Sequence, residues 1–425
     1  MSANGGMRAT SRNDVNAVVT GSRTVVLGAG VAGLAAAAAL LPRGDVLVVE
    51  RDDVQPASAV RPGVPQAAQL HNLLGRAQLS LERLLPGYCT KLVRAGGRRA
   101  RAGAQTHVYE LGMRMPRRDL GFDLMSASRL LIERVMRSMV VARGGVRFTT
   151  ARAIGLTDDD DRVTGVTVET STGLETIAAN IVVDATGASS SASAWLAALD
   201  REPPRAEVAT AAHWYVTATF VRPTRWRARD DFWLVFPAAP EACGALLSPG
   251  EGATWRVSVF GGPADTPPLS HADVVAYAAG LQDPMIGHVL RGAVALGKAT
   301  LFRKPTATWR RYDELDQPLT GLLPIGDAVA ALDPLFGQGI SVATWQAALL
   351  ADLVVDPSLD LARLTTEHLR ASADACRSAW ELGRAVDEAA PGLAKSVASD
   401  PAAHRAYVEA WHLLRPVPAP AAAML

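Results

Sequence analysis

Cysteine is scarce in this sequence, and neither sign of charge is in excess. The 425 residues include three cysteines, Cys89, Cys243 and Cys376, which lie far apart and form no CxxC pair. A disulfide framework is therefore not indicated, and a reducing, cytoplasmic environment is expected. The 43 basic and 42 acidic residues leave a net charge of +1, which gives no support for a nucleic-acid partner or an anionic membrane surface.

A segment long enough to cross a membrane is also missing. The uncharged run over residues 25–41 falls short of the roughly 20 residues that span a bilayer, and three glycines interrupt it. Residues 1–20 are polar and lack an apolar stretch followed by a cleavage site, so we expect a disordered leader and no secretory signal. The proline- and alanine-rich residues 416–425 are predicted to be a disordered tail.

Signatures of hydrolytic and metal chemistry are absent as well. The sequence contains no HExxH and no GxSxG, and its eight histidines are scattered without the spacing of a metal site. Hydrophobic residues make up 49% of the chain, which provides for a large buried core and excludes a disordered protein.

The strongest motif that is present lies near the N-terminus. Thr24–Leu27 is a short apolar strand, and Gly28-Ala29-Gly30-Val31-Ala32-Gly33 follows it. Residues 32–41 favour a helix, residues 42–44 end it, and residues 45–50 predict a second strand whose last residue is an acid, Glu50. A lone GxGxxG is a weak signal, but here a strand precedes it and a helix and an acid follow it.

Each residue of this motif has a physical role in binding a dinucleotide. Gly28 makes the tight turn, Gly30 lets backbone N–H groups approach a pyrophosphate, and Gly33 allows the helix to pack closely on the strand. Glu50 can accept hydrogen bonds from the adenosine ribose, and its charge disfavours the 2′-phosphate of NADP. FAD and NAD both remain compatible with the motif. A glycine-rich turn in some other α/β domain is the less favoured alternative.

The rest of the chain alternates segments that are typical of a mixed α/β protein. Residues 69–85 and 126–143 have the spacing of helices, and residues 152–178 predict an antiparallel meander. Residues 205–262 are rich in Trp, Phe and Val, with turn signals at intervals, and predict a second, mostly antiparallel sheet. Residues 358–415 are predicted to be helical.

Two further motifs stand at the ends of apolar strands. Ile181-Val182-Val183 continues into Asp184-Ala185-Thr186-Gly187, and residues 319–325 continue into Gly326-Asp327, with Pro334 and Gly337-Gln338-Gly339 further on. With the first motif, these residues resemble the flavoprotein monooxygenases of the single-component aromatic hydroxylase type, over about residues 22–355. The segment 61–66, with His71 after it, is similar to the polyketide-tailoring epoxidases of the polyether type.

The resemblance implies FAD, with the AMP end at the glycine motif and Glu50. It also implies that Arg129 reaches the ribitol or the pyrophosphate, that Asp327 bonds the ribitol, and that residues 334–340 pass beside the isoalloxazine. The N-terminus of the helix that begins near Gly339 would stabilise an anionic reduced flavin. The predicted cofactor-binding residues are Gly28, Gly30, Val31, Ala32, Gly33, Glu50, Arg51, Arg61, Arg129, Asp184, Gly187, Gly326, Asp327, Gly339 and Ile340.

The implied fold is a Rossmann-type α/β domain with a second, antiparallel-sheet domain. The FAD-binding domain is expected to be discontinuous, over residues 21–188 and 300–356. The substrate-binding sheet would cover residues 189–299, and C-terminal helices would cover residues 357–415.

The sequence departs from the family pattern at several points. Many relatives have arginine after the glycine of Asp-Ala-Thr-Gly, whereas this chain has Ala188, and the lost cation weakens contacts to a reductant or substrate. Gln69 replaces the histidine that usually precedes His71. A second strand–GxGxxG–helix unit is missing, which counts against flavoproteins with a dedicated nicotinamide domain. The Trp-x-Trp-x-Ile-Pro signature of flavin halogenases is missing too.

The leading hypothesis is an FAD-dependent monooxygenase with NADPH or NADH as reductant. Its C4a-hydroperoxyflavin would epoxidise or hydroxylate a hydrophobic natural-product intermediate, of the kind found in antibiotic biosynthesis. Phenol hydroxylation needs a base, for which His71, Asp333 and His213 are candidates, each with a structural role as the competing interpretation. The predicted catalytic residues are Pro334, Gly337, Gln338, Gly339, Asp333 and His71.

Aromatic residues of the second sheet are expected to cover an apolar substrate. Simple core packing is the competing interpretation, and it is favoured for most of them. The predicted pocket residues are Trp214, Phe220, Trp233, Phe236 and Trp255.

Two alternatives to a monooxygenase remain open. A non-redox cyclase would keep FAD as a structural element while its pocket folds a polyene, and the alanine at position 188 favours it. A non-enzymatic flavin-binding protein would leave the glycine-rich loop without a purpose. The expected partners are a hydrophobic small molecule and O2. An acyl carrier protein could present the substrate, and the sequence leaves this open. It also leaves the oligomeric state open.

Overall fold

The computed structural model describes residues 24–53, 65–236, 243–385 and 392–415. Arg61, the predicted leader and the predicted tail lie outside these residues. The strands are β1 Thr24–Leu27, β2 Val46–Glu50, β3 Asn72–Leu73, β4 Arg98–Arg101, β5 Thr106–Glu110, β6 Met113–Arg114, β7 Asp123–Ser126, β8 Val146–Thr150, β9 Arg152–Asp159, β10 Arg162–Thr170, β11 Gly173–Ala178, β12 Ile181–Asp184, β13 Ala206–Val221, β14 Phe232–Val235, β15 Gly244–Gly250, β16 Thr254–Gly261, β17 Val294–Arg310, β18 Leu322–Pro324 and β19 Ala330–Ala331. The helices are α1 Val31–Leu40, α2 Gly75–Leu84, α3 Tyr88–Arg94, α4 Arg129–Ala142, α5 Ala192–Ala198, α6 His271–Ala279, α7 Met285–Leu290, α8 Gly339–Val354, α9 Leu361–Ala385, α10 Leu393–Ser399 and α11 Pro401–Trp411.

A five-stranded sheet in the order β18-β12-β1-β2-β8 forms the first layer, and all of its pairings are parallel. Both faces of this sheet are covered. In β1, Val26 packs towards α1, α4 and α8, whereas Val25 and Leu27 pack towards the meander β9–β11 and α9. This explains why the strands are apolar runs without alternation. The predicted mixed α/β fold is confirmed.

Helix α1 is apolar around its whole circumference because it is buried on every side. Its residues from Leu34 to Leu40 are at most 5% exposed. It packs against α8, α4 and α2 as well as against the sheet. The apolar run over residues 25–41 is thus a buried strand and a buried helix of one βαβ unit. Among the described residues, no helix is long and apolar enough to cross a membrane.

An eight-stranded sheet in the order β19-β17-β13-β16-β15-β14-β5-β6 forms the second layer. Its pairings are antiparallel except that of β14 with β5. Helices α6 and α7 cover one face. The domain boundaries drawn from the sequence stay a prediction, although β17 extends past residue 299 and β5 and β6 join this sheet from the N-terminal part.

The helix expected over residues 69–85 begins later, at Gly75. The preceding residues are held in a different conformation by the sheets. Asn72–Leu73 pairs with β7, and the Gln69 side chain donates to the Thr300 carbonyl and accepts from the Thr217 hydroxyl at 2.7 Å. These tertiary bonds outweigh the helical spacing of the local sequence.

Candidate active site

The three sequence motifs meet because β1, β12 and β18 are neighbours in one parallel sheet. Leu27 pairs with Asp184, and Asp184 pairs with Pro324, so each motif begins at the same, carboxyl edge. Parallel sheets bind ligands at this edge. A cavity of about 760 Å³ opens there. Of the predicted site residues, its walls contain Gly28, Gly30, Val31, Ala32, Glu50, Arg51, His71, Arg129, Gly187, Phe236, Asp327, Asp333, Pro334, Gly337, Gly339 and Ile340.

The glycine turn has the geometry that its spacing predicts. Gly28 has φ +101°, and a Cβ there would lie 2.6 Å from the Ala185 carbonyl oxygen. A Cβ at Gly33 would lie 1.8 Å from the Gly28 carbonyl oxygen, so only glycine lets α1 pack this closely. Gly30 differs from both glycines. Its φ of −76° is one that any residue adopts, and it borders the cavity instead of packing against the protein.

The N-terminus of α1 is built to receive an anion. Among the described residues, no side chain caps this helix, so N–H groups of its first turn remain for a ligand. A guanidinium nitrogen of Arg129 lies 3.6 Å from where a Cβ of Gly30 would be. Glu133 accepts a hydrogen bond from Nε of Arg129 at 2.7 Å and so orients the cation. Helix dipole and arginine together fit the pyrophosphate of a dinucleotide.

Glu50 is held at the end of β2 by backbone donors. The N–H of Ala29 donates to Oε2 at 2.7 Å, and the N–H of Asp52 donates to Oε1 at 3.1 Å. The carboxylate is 7% exposed and forms part of the cavity wall. It therefore stands where an adenosine ribose would meet it, and the residues present fit FAD.

Four predicted site residues lie behind the cavity wall and support it. Gly33 packs against Gly28, and Gly326 donates its N–H to Gln346 at 2.7 Å. Asp184 is fully buried and accepts from the N–H and hydroxyl of Thr186, which holds the Asp-Ala-Thr-Gly turn. The Gln338 side chain donates to the Trp411 carbonyl at 2.9 Å.

Four of the five predicted pocket aromatics lie on the wrong face of the second sheet. Trp214, Phe220, Trp233 and Trp255 are at most 3% exposed and form a core with α6 and α7. Side chains alternate along a strand, so the opposite residues of β13 face the cavity side. Only Phe236 of the predicted set lines the cavity. Core packing, the competing interpretation, describes the other four.

Tyr215 is a cavity residue that the sequence analysis missed. Its hydroxyl donates to Oδ1 of Asp333 at 2.8 Å, and burial together with this carboxylate raises the pKa of Tyr215. Burial alone would raise the pKa of Asp333, but interactions with His213, the Leu335 N–H and Tyr215 outweigh it, and the pKa lies below its usual value. Asp333 is therefore an anchored carboxylate that begins the turn Pro334–Phe336.

His71 and Lys304 also face the cavity. Burial and the nearby Arg129 lower the pKa of His71 to about 3, and its Nδ1 donates to the Gln69 carbonyl at 3.0 Å. His71 is thus neutral near pH 7 and presents Nε2 as an acceptor. Burial lowers the pKa of Lys304, whose ammonium donates to the Leu332 carbonyl at 2.7 Å. The alternation of β17 is the only sequence signal that could have placed Lys304 here.

The C-terminal helices contribute more than the sequence indicated. The cavity wall includes His404, Tyr407, Val408 and Trp411 of α11. Trp411 packs on Phe336 and Phe236, with ring centroids 5.5 and 5.2 Å apart. Helix α11 therefore forms part of the cavity wall next to Phe336 and Phe236.

We expect a measurable acid sensitivity from His412, which follows α11. Its Nδ1 accepts the N–H of Gly75 at 3.0 Å, and burial lowers its pKa to about 3. The folded state excludes a proton that the unfolded chain takes up below about pH 6.5. Stability from the neutral ring is thus complete above pH 6.5 and is lost as pH falls towards 3.

His412→Asn keeps an acceptor at this position and removes the titration. Between about pH 7.5 and about pH 5, the wild type should lose ~2 kcal/mol more free energy of unfolding than the variant. Denaturant unfolding with FAD in excess, at both pH values, measures the free energy of unfolding of the wild type and of the variant. Equal pH dependence of the two proteins would contradict a neutral His412.

Comparison with known proteins agrees with this site. Residues 24–197 match the family described as FAD dependent oxidoreductase. The protein Rv3254 of Mycobacterium tuberculosis is 29% identical over 339 residues, which cover 76% of this chain and 71% of that protein. This family match covers less than half of the chain, and together with the fold and the cavity it supports an enzyme.

Solved structures share the fold at low identity. The flavin-dependent brominase Bmp2 is 16% identical, with a TM-score of 0.69 over 92% of this chain and 93% of that chain. The peptidyl tryptophan dihydroxylase QhpG is 20% identical, with a TM-score of 0.57 over 86% of this chain and 74% of that chain.

Proposed function

We propose that the protein is a monooxygenase that inserts one atom of O2 into a hydrophobic natural-product intermediate, by hydroxylation or epoxidation, with NADPH or NADH as reductant. The observation that carries the proposal is the continuity of the cavity. Its walls contain both the anion-binding turn of a dinucleotide site and an aromatic chamber, formed by Tyr215, Phe236, Phe302 and Trp411. A protein that only bound the flavin would not need an aromatic chamber in the same cavity.

Bound FAD, once reduced, supplies the activation of O2. The chain's own residues hold the cofactor and shape the chamber. Gly28, Gly30 and Arg129 would hold the pyrophosphate, Glu50 would hold the ribose, and Asp327 would hold the ribitol. The turn after Asp333 and the N-terminus of α8 line the same cavity and would adjoin the isoalloxazine, where the helix dipole would favour negative charge on the ring.

The chamber itself is lined mainly by apolar side chains. Tyr215, Phe236 and Phe302 line it from the second sheet, Leu335 lines it from the turn, and Trp411 lines it from α11. An electron-rich double bond or ring held among these side chains would meet the flavin without competing solvent. The dihydroxylase named above, which acts on a peptidyl tryptophan, supports oxygenation of a bulky aromatic group on this fold.

The proposal is tested with the FAD-loaded protein, NADPH or NADH, and a panel of hydrophobic alkenes and phenols. The yellow colour of oxidised flavin should fade anaerobically when a nicotinamide and an accepted substrate are both present. Isotope-labelled O2 should then leave one labelled atom in the product.

Conversion of a substrate without consumption of nicotinamide would contradict the monooxygenase and favour the non-redox cyclase. Addition of bromide serves as a control, because a brominated product would move the protein towards the brominase activity of Bmp2. Mass spectrometry of the product separates the three outcomes.

A further inference from the structure

Glu110 and Tyr407 form a polar pair in the wall of the cavity. Glu110 ends β5, Tyr407 lies on α11, and both face the cavity. The two side chains are hydrogen-bonded to each other. Their neighbours in the wall include Val108, Met115 and Val408. A carboxyl group in such surroundings is costly unless it has a partner, and one tyrosine fills only part of its capacity to accept hydrogen bonds.

The pair stands beside the aromatic chamber. Tyr407 and Trp411 are one turn apart on α11, which is about 6 Å along the helix axis. Trp411 packs on Phe336, in the turn that precedes the N-terminus of α8. A bicyclic aromatic ring that contacts Trp411 could therefore reach Glu110 with a substituent.

Among the described residues, no charged side chain pairs with Glu110. Arg114 on the neighbouring strand β6 is paired with Asp283, and Arg405 on α11 bonds Glu409 at 2.7 Å. His404 also faces the cavity, and burial lowers its pKa, so it is neutral near pH 7. His412 is neutral as well. Strand β14 brings only apolar side chains to this side.

The state of Glu110 follows from these surroundings. Burial raises its pKa to about 7, and the hydrogen bond from Tyr407 partly opposes this. Both forms of the carboxyl group are therefore populated near neutral pH. The ionised form accepts hydrogen bonds more strongly than the neutral form.

We propose that Glu110, positioned by Tyr407, binds a hydroxyl group of the substrate, which makes a hydroxylated aromatic molecule of the phenol class the favoured occupant of the chamber. This deepens the proposed function, on which it rests for the identity of the substrate, and favours hydroxylation over epoxidation. The substrate hydroxyl donates to the carboxylate, while its ring lies against Trp411 and Phe236.

Binding of naphthol and of its methyl ether to the oxidised, FAD-loaded protein tests the proposal. The ether keeps the ring and loses the O–H donor. Perturbation of the flavin absorbance gives both dissociation constants. The wild type should bind naphthol at least about tenfold more tightly than the ether at about pH 8, and the preference should shrink at about pH 6, where Glu110 is mostly protonated.

Two variants and a control variant test whether Glu110 is the residue that binds the hydroxyl group. Glu110→Gln should remove most of the preference for naphthol over its methyl ether, and the remaining preference should not depend on pH. Tyr407→Phe removes a bond to the ionised form, so the midpoint of the pH dependence should move upward from about 7. Glu367→Gln makes the same change on α9, where the carboxylate pairs with Arg370, and should bind as the wild type does.

Equal affinities for the two probes in the wild type, or no binding of either, would overturn the proposal. So would a preference that survives unchanged in Glu110→Gln. Circular dichroism and FAD content show that each variant is folded. No reductant is present, so the outcome is independent of whether the protein proves to be a monooxygenase.

Discussion

Gly30→Val should yield a folded protein that is isolated without FAD. The backbone at Gly30 has φ −76° and ψ −173°, which valine adopts without strain. Its side chain, however, would fill the space between the N-terminus of α1 and Arg129, where the pyrophosphate would lie. We expect FAD affinity to fall at least about a hundredfold, or ~2.7 kcal/mol. The ratio of flavin to protein absorbance measures it.

Two other glycines provide the comparison for this variant. Gly155→Val makes the same change in β9, where the nearest heavy atom is 3.9 Å from the new Cβ, and FAD content should not change. Gly33→Ala should instead destabilise the fold, since its Cβ would meet the Gly28 carbonyl oxygen at 1.8 Å. Full FAD occupancy in Gly30→Val would show that the cofactor binds elsewhere.

Trp255→Ala should have the largest effect on stability outside the cofactor site. Trp255 is 1% exposed, and its ring centroid lies 5.8 Å from that of Trp233, between the second sheet and the helices α6 and α7. Truncation of a buried tryptophan leaves a large void and costs about 3–5 kcal/mol. Denaturant unfolding with FAD in excess gives the loss, and binding of naphthol should be retained.

Phe302→Ala is the matched variant on the opposite face of the same sheet. Phe302 is half-buried and lines the cavity. Its truncation should cost less stability than that of Trp255, because part of the side chain is not packed in the core. It should weaken the binding of naphthol, because the ligand loses an apolar contact. If Trp255→Ala weakened binding more than Phe302→Ala, the assignment of the two faces would be wrong.

The cofactor end of the site could be predicted from local sequence. Gly28, Gly30 and Gly33 follow a strand, and Glu50 ends the next, and the structure places all four as this spacing requires. The physical reason is that one βαβ unit creates this geometry almost alone, through a tight turn and a helix N-terminus. The helix after Gly339 was also found, because it is long and apolar and begins at a glycine-rich turn.

The substrate end was decided only by the tertiary structure. The strand β13 has aromatic residues on both faces, so its sequence does not tell that Trp214 packs under α6 while Tyr215 faces the cavity. Glu110 and Tyr407 belong to a strand and a helix that are far apart in the sequence, and no local pattern relates them. Only the docking of α11 against the second sheet brings the two side chains together. The backbone geometry of the nucleotide-binding turn is thus determined by the local sequence. The shape and polarity of the chamber are determined by packing between residues that are distant in the sequence.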